Sequence, residues 1–280
     1  MATVAPLLTR RLSRLQSLAL QARYVRVIAK TEFKLKYADS ALGYVWSLIK
    51  PLVYFAVLLA VFGSFFKLNT VFADYPIYLL IGIVMYTFFA DAAGMTMLSF
   101  VVRASLLAKL AFPRVVIPLS ATTVATLTFL INLSAVAGFI AWYRIVPNVG
   151  WLLLPILLLE FYVFTFGIAL ILATLFVRFR DVGQVWELVA LLLFYVTPII
   201  YPVSYLPADA RPIALLNPLA QVIQDVRRVI LHRAPEGTIV TAPDVLGQWG
   251  RVYPIAITLL VLGVAWLLYK REEPWLAERI

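Results

Sequence analysis

The sequence predicts an all-α integral membrane protein with six transmembrane helices. Of its 280 residues, 63% are hydrophobic and only 14% are charged, and the mean hydropathy is +0.94. Soluble domains carry about 25% charged residues, so this composition excludes an ordinary soluble enzyme. Six apolar runs are long enough to cross a hydrocarbon core of about 30 Å as helices. They lie at 49–66, 77–101, 115–141, 151–177, 185–203 and 252–269.

These runs divide the chain into an N-terminal region at 1–48, a transmembrane domain at 49–270 and a tail at 271–280. Residues 1–21 show no apolar core followed by a small-residue cleavage site, so no secretory signal is expected. The chain has no cysteine, which excludes disulfides and thiolate metal ligands. The net charge is +10, but the cations cluster beside the apolar runs and do not form a nucleic-acid footprint.

The N-terminal region contains a basic amphipathic helix. One predicted face carries Leu20, Tyr24, Val27, Ile28, Thr31 and Leu35, and the opposite face carries Arg23, Arg26, Lys30 and Lys34. This spacing is typical of a helix that lies in the headgroup layer of an anionic leaflet. A surface helix of a soluble domain has the same pattern, but the apolar run that follows Pro51 favours the membrane surface.

The distribution of Lys and Arg orients the six spans. With both termini in the cytoplasm, most of the basic residues flank the spans on the cytoplasmic side, as the positive-inside rule requires. This orientation makes 103–114 the first cytoplasmic loop and 178–184 a tight cytoplasmic turn, in which Arg180 and Asp181 are a potential pair. Most of the external basic residues then lie in one long segment, 201–251.

That external segment contains a predicted helix from Asn217 to Leu231. Asn217 is a favourable N-cap, and Pro218 suits the first turn of a helix. The helix is too polar to span the bilayer and too apolar for a free loop. We therefore expect a re-entrant or surface-lying element before the last span.

Motifs of familiar catalytic sites are absent from the sequence. There is no GxxxxGK[ST], HExxH or GxSxG pattern, and the single histidine, His232, lies in the external segment. No metal site and no catalytic residue are predicted. The acids within apolar runs are Asp91 and Glu160, and Glu187 is near a run's end. For the first two, a functional role and structural pairing stay equally open, whereas Glu187 is expected to be interfacial.

Aromatic residues make up 14% of the chain. Most of them lie near the ends of runs, where an interfacial belt explains them. An alternative is a conduit in which sugar rings pass over flat aromatic faces. The conduit candidates, including the two acids, are Tyr54, Phe88, Asp91, Glu160, Tyr162, Phe166 and Tyr195.

Five motifs together resemble one family. They are KLKYADSALGYVWSLIKPL (Lys34–Leu52), PRVVIPLS (Pro113–Ser120), VRFRDVGQ (Val177–Gln184), TPIIYPVSYLP (Thr197–Pro207) and NPLAQVIQDVR (Asn217–Arg227). The sequence resembles the transmembrane subunit of an ABC-2 type (type V) exporter, in the branch that exports polysaccharide, O-antigen and teichoic acid. The resemblance covers the chain except for its first twenty residues and the tail after Lys270.

The resemblance implies a homodimer in a bacterial plasma membrane with two copies of a separate ATPase. It implies that ATP and Mg bind the ATPase, that this chain holds no cofactor, and that the cargo is a lipid-linked glycan. The implied interface helix and entrance comprise Arg23, Arg26, Lys30, Lys34, Lys36, Tyr37, Gly43 and Trp46. The implied ATPase-coupling residues are Arg103, Lys109, Pro113, Arg180 and Asp181. The implied external gate comprises Pro198, Pro202, Asn217, Pro218, Arg227 and Arg228.

Three other functions are compatible with parts of the sequence. An ABC-2 exporter of a smaller lipid or drug shares the predicted fold. An ion-coupled secondary transporter would use Asp91 and Glu160, but the chain shows no obvious internal repeat of the kind common in such transporters. A membrane glycosyltransferase is disfavoured because no acidic catalytic cluster is present.

Overall fold

The computed structural model describes residues 14–38, 42–68, 73–105 and 113–276, and every regular element within these ranges is helical. The helices are α1 (Arg14–Ala38), α2 (Val45–Leu58), α3 (Tyr75–Val102), α4 (Val116–Trp142), α5 (Leu154–Arg178), α6 (Val182–Val196), α7 (Ala210–Leu216), α8 (Pro218–Ile230), α9 (Ala242–Leu246) and α10 (Val252–Glu272). Wider π turns at Leu59–Phe65 extend α2, and short 3-10 turns lie at Val149–Leu153, Val203–Tyr205 and Glu273–Trp275.

Five of these helical stretches are long and apolar enough to cross a membrane: Val45–Phe65, Tyr75–Val102, Val116–Trp142, Val149–Arg178 and Val252–Trp275. Helix α6 is apolar but has only 15 residues. The sequence predicted a sixth span at 185–203, whereas α6 ends at Val196, because the residue before Pro198 disfavours helical geometry. The predicted all-α, multi-pass membrane fold is confirmed.

Ion pairs and hydrogen bonds bring several chain segments together at one end of the bundle. Arg103 binds Glu32 of α1, Arg178 lies 3.6 Å from Glu272, and Arg114 donates to the carbonyl of Glu273. We call this the basic end. The opposite end, which we call the loop end, carries residues 197–251.

Helix α3 is the centre of the fold. Its most apolar window is 78% buried, and it packs against α2, α4, α5, α6 and α8. The corresponding window of the span that begins with α2 is only 11% buried. In a membrane protein an apolar surface of this kind faces lipid or another chain, so the exposed side of α2 is a candidate interface.

Helix α1 packs against α4 through Val25 and Ala29, which are 8% and 1% exposed. The apolar stripe predicted from the sequence points elsewhere, since Val27 is 56% and Leu35 is 68% exposed. The helix therefore has two apolar faces, one used within the chain and one open to its surroundings. The turn into α2 contains Gly43, whose φ of +49° strains other residue types.

The chain breaks helical geometry directly after α6, yet its freed carbonyl groups are all paired. The carbonyls of Pro198 and Ile199 accept hydrogen bonds from Arg227 at 2.7 Å each. The next two, on Ile200 and Tyr201, accept from the hydroxyls of Tyr75 and Tyr78 at 2.9 and 3.0 Å. Irregular backbone at membrane depth requires such internal partners. We call residues 198–201 the carbonyl turn.

Helix α8 supplies Arg227 to this turn. The predicted Asn217 cap is confirmed, since its side chain accepts from the amide of Leu219 at 3.0 Å. Arg227 is fully buried, donates to the Tyr78 carbonyl at 3.0 Å and stacks on the Tyr78 ring at 3.4 Å. A methyl group at Gly82 would overlap the Arg227 guanidinium. Glycine at this position is therefore required by close packing.

We predict that Gly82→Ala lowers the midpoint of thermal unfolding of the purified protein in detergent. The added methyl displaces Arg227, and each buried carbonyl left without a partner costs about 1–3 kcal/mol. Gly94→Ala in the same helix is the matched control, because its methyl would meet only the Trp186 side chain at an ordinary 3.8 Å. That control should be neutral or stabilising, since alanine favours helix by up to about 1 kcal/mol. Equal effects of the two variants would contradict this account.

Candidate functional site

A long groove runs along α2 and α3 from the basic end towards the loop end. It consists of two adjoining cavities of about 700 and 660 Å³. Both are lined by Trp46, Lys50, Pro51, Thr87, Ala90 and Asp91. Towards the basic end the groove reaches Glu32, Lys36 and Leu98, and towards the loop end it reaches Val57 and Phe194. We call it the long groove.

Helical periodicity explains which side chains face the long groove. On α2, Trp46, Lys50 and Tyr54 recur every four residues and share one face. On α3, Tyr86 and Ala90 are four residues apart, as are Thr87 and Asp91, so these four side chains share one broad face. The lining is mostly apolar and aromatic, because α2, α3 and α6 are apolar on nearly every side.

One ion pair lies where the two cavities meet. The Lys50 ammonium is 3.7 Å from the Asp91 carboxylate, and the two side chains are 75% and 38% exposed. Asp91 is the one carboxylate of α3. A charge within an apolar span is costly unless it is paired or wet, and here it is paired and faces an open groove. Asp91 is therefore open to the long groove and is not an isolated buried acid.

Tyr54, Tyr86 and Phe194 line the loop-end half of the long groove, and Tyr195 adjoins Phe194 without lining either cavity. Phe194 lies 5.3 Å from Tyr54, 5.1 Å from Tyr86 and 5.4 Å from Tyr195, measured between ring centroids. The Tyr86 hydroxyl donates to the Ala190 carbonyl, which joins α3 to α6. Sequence analysis singled out Tyr54 and Tyr195 but not Tyr86 or Phe194. The four-residue spacing of Tyr86 from Ala90 was the available signal for one of them.

Three of the other conduit candidates lie away from the long groove. Phe88 is 4% exposed and packs between Phe129 and Phe161 in the core. Tyr162 and Phe166 stack in parallel on α5 with centroids 6.4 Å apart. The structure therefore does not bring these three residues together with Tyr54 and Asp91.

Glu160 belongs to a charged cluster at the loop end. Arg251 lies 3.3 Å from Glu160 and 3.5 Å from Asp225, so it joins α5 and α8 to the start of α10. Burial raises the pKa of the Asp225 carboxyl to about 6, and Arg251 opposes that shift. Glu160 therefore has a basic partner in Arg251, which is the pairing that the structural alternative expects. Glu187 is exposed near the start of α6.

The gate candidates divide by burial. Pro198, Pro202 and Pro218 are buried, and Arg227 is the fully buried anchor of the carbonyl turn. Arg228, one residue later, is exposed and forms an ion pair with Asp244. A substitution at Arg227 therefore tests anchoring, whereas one at Arg228 tests a surface charge.

The coupling candidates at the basic end differ in their exposure and in the residues that they contact. Arg103 is 11% exposed in its side chain, and its guanidinium makes a two-pronged contact with Glu32 of α1. Pro113, Arg180 and Asp181 are exposed, and Arg180 lies over the Phe176 ring at 5.2 Å. Within the described residues, the potential Arg180–Asp181 pair is not formed. Lys109 lies outside the described residues.

The cations of α1 lie on different sides of that helix. Lys36 lines the long groove together with Trp46, whereas Arg26, Lys30 and Lys34 line a separate cleft. Arg23 is exposed and lines neither cavity. Tyr37 belongs to α1, and its side chain is outside what the structure describes. In the described part of the chain, no group of three His, Asp or Glu side chains is placed to hold a metal ion.

Comparisons with known proteins agree with this architecture. A family model described as "ABC-2 type transporter" matches residues 23–231. The chain is 32% identical over 207 residues to the O-antigen export system permease protein RfbA of Klebsiella pneumoniae, which covers 74% of this chain and 79% of the relative. It is 24% identical over 258 residues to the capsule polysaccharide export inner-membrane protein BexB of Haemophilus influenzae, covering 89% and 91% of the two chains.

The polysialic acid transport protein KpsM of Escherichia coli is 22% identical over 273 residues, covering 92% of this chain and 95% of KpsM. The family model covers well over half of the chain, and these relatives align along most of their lengths. The protein belongs to the ABC-2 type transporter family.

Proposed function

We propose that this chain is the permease subunit of an ATP-driven exporter that moves a lipid-linked polysaccharide out of the cytoplasm across a bacterial plasma membrane. The long groove carries this proposal, because it extends along the bundle and combines aromatic faces with one accessible ion pair. Flat aromatic surfaces suit the apolar faces of sugar rings, and the ion pair suits hydroxyl groups. Relatives named for O-antigen, capsule polysaccharide and polysialic acid support a glycan cargo of the O-antigen, galactan or teichoic-acid kind.

A second copy of the chain would close the long groove. The groove lies between α2, α3 and α6, and α2 and α6 leave apolar side chains exposed. Among these exposed side chains are Val53 and Val57 of α2 and Leu188, Leu191 and Leu192 of α6. Two such faces packed around an axis would make a conduit that is closed to lipid. We therefore assign the functional unit to a homodimer.

Two copies of a separate ATP-binding subunit complete the transporter. The excess of Lys and Arg at the basic end supports a cytoplasmic position for that end and for both termini. The loop that contains Lys109 follows directly after Arg103, and we assign this loop to the ATPase contact together with the exposed turn at Arg180 and Asp181. ATP and Mg bind the partner in this scheme, and the chain itself supplies the path.

The contact between Glu32 and Arg103 gives the coupling loop a route to the entrance. Glu32 lines the basic-end half of the long groove. Its partner Arg103 is the C-cap residue of α3 and lies immediately before the loop. A displacement of the loop by the ATPase would therefore move α1 at the groove entrance. Arg103 acts here as a positioning residue within the permease, rather than as a direct ATPase ligand.

Helix α8 is assigned to the external gate. It is buried against α3, α5 and α10 and holds the carbonyl turn that follows α6. Since α6 also lines the long groove, a shift of α8 would change the groove's outer end. The two acids of the apolar spans have basic partners at separate places, Lys50 and Arg251, so they do not form the relay that an ion-driven transporter would use.

The first prediction from this function concerns the complex. The tagged chain, purified in mild detergent from its own cells, should bring down an ATP-binding subunit in equal amount, and the complex should hydrolyse ATP. Depletion of the chain should cause a lipid-linked glycan to accumulate in the cytoplasm. Accumulation of a small lipid without attached sugar would contradict the glycan cargo, and recovery of the chain without any ATPase would contradict the transporter class.

The second prediction concerns the Glu32–Arg103 contact. Glu32→Arg or Arg103→Glu alone should abolish most export, because each leaves two like charges facing one another in a half-buried site. The double charge swap should recover roughly half of the export or more, since the pair is restored with reversed polarity. In the single variants, ATP hydrolysis by the complex should continue while export stops.

The matched control is the same swap at Lys270 and Glu273, a pair at the basic end that includes neither α1 nor the turn assigned to the ATPase. Neither its single variants nor its double variant should stop export. A Glu32–Arg103 double swap as inactive as its two single variants would contradict the coupling role.

A further inference from the structure

A second cleft is lined by residues of α1 that do not line the long groove. It has a volume of about 630 Å³ and lies between α1, α4 and α5. Helix α4 presents different residues to the two cavities: Leu119, Thr123 and Leu127 face this cleft, whereas Val124, Thr128 and Asn132 face the long groove. We call it the flank cleft. It is separated from the proposed export path by α1 and by the packing of α1 on α4.

The rim of the flank cleft carries a row of positive charge. Arg26, Lys30 and Lys34 are spaced by four residues, so they follow one another along a single face of α1. The residues that line this cleft include no carboxylate, and in the described part of the chain none of these three cations forms an ion pair. By contrast, Lys50 beside the long groove is compensated by Asp91. The row therefore favours an anion.

The interior of the flank cleft is apolar. Val25 and Ala29 form its α1 wall, Leu119 and Leu127 form its α4 wall, and Tyr162 closes it on the α5 side. Phe33 and Tyr44 stack at 5.2 Å at the turn between α1 and α2, and both line the cleft. Its volume lies in the range of small-molecule sites. A soluble anion would leave these apolar walls uncovered.

We propose that the flank cleft binds one anionic phospholipid from the leaflet at the basic end of the bundle. Its phosphate group lies on the row formed by Arg26, Lys30 and Lys34, and an acyl chain covers the walls formed by α4 and α5. Basic residues beside an apolar surface are the arrangement that recognises anionic lipid. The bound lipid would hold α1 against α4 and so fix the position of Glu32, which the same helix presents to the long groove.

Native mass spectrometry of the purified full-length chain tests this site with phosphatidylglycerol and phosphatidylcholine of identical acyl chains. The wild-type protein should retain one phosphatidylglycerol in preference to phosphatidylcholine. Arg26→Gln with Lys30→Gln should weaken phosphatidylglycerol binding at least about tenfold, because each basic residue near a lipid phosphate contributes separately. Lys36→Gln with Arg271→Gln is the matched control, since it removes one Lys and one Arg at the same end of the bundle but outside the cleft and should leave that preference unchanged.

Equal losses in the two double variants would show that only general attraction to the basic end is measured, and would overturn the site. A phosphatidylglycerol with a photoreactive acyl chain gives a second readout that does not depend on substitution. Its label should concentrate on peptides that contain Thr123 and Tyr162. Label spread evenly over the apolar helices would also overturn the proposal. The proposal would likewise fail if a diphosphate-linked glycan carrier displaced the bound lipid and other anionic phospholipids did not.

Discussion

The fold depends on how the carbonyl turn is satisfied. A chain that leaves helical geometry inside an apolar bundle exposes carbonyl groups that cannot find water, and each unpaired group is costly. Here Arg227, Tyr75 and Tyr78 donate hydrogen bonds to four consecutive carbonyls. Helix α6 can therefore end at Val196 while the chain stays buried within the protein. Gly82 provides the space that the guanidinium needs. Helix α8, the turn and the start of α3 therefore form one unit.

The packing of this unit determines which side of α3 is left open. Helices α4, α5 and α8 pack against the inner sides of α3. The long groove therefore opens on the side of α3 that faces α2 and α6. Arg251 binds Glu160 and Asp225 at the loop end, and Arg103 binds Glu32 at the basic end. The uncompensated row on α1 lies outside the groove. The proposed export path and the proposed lipid site thus occupy separate surfaces of the chain.

Sequence patterns predicted the spans and the Asn217-capped helix because both depend on local composition and spacing. They did not predict that Arg227 is a buried anchor or that Arg103 binds α1, since those contacts join residues far apart in the chain: Arg227 meets Tyr78 across 149 positions and Arg103 meets Glu32 across 71. Aromatic residues such as Phe88 and Tyr54 look alike in sequence. Only the packing of the helices separates the core ring from the one that faces the long groove.

The most direct measurement of the central claim uses the absence of native cysteine in this chain. Val57→Cys places a single thiol in the long groove, and Leu260→Cys places one on the exposed face of α10. If the groove is the wet path of the glycan, a water-soluble maleimide labels the first variant, and glycan export under ATP turnover protects it, while the second stays unlabelled in lipid. Equal labelling of Val57→Cys with and without exported glycan would contradict the account.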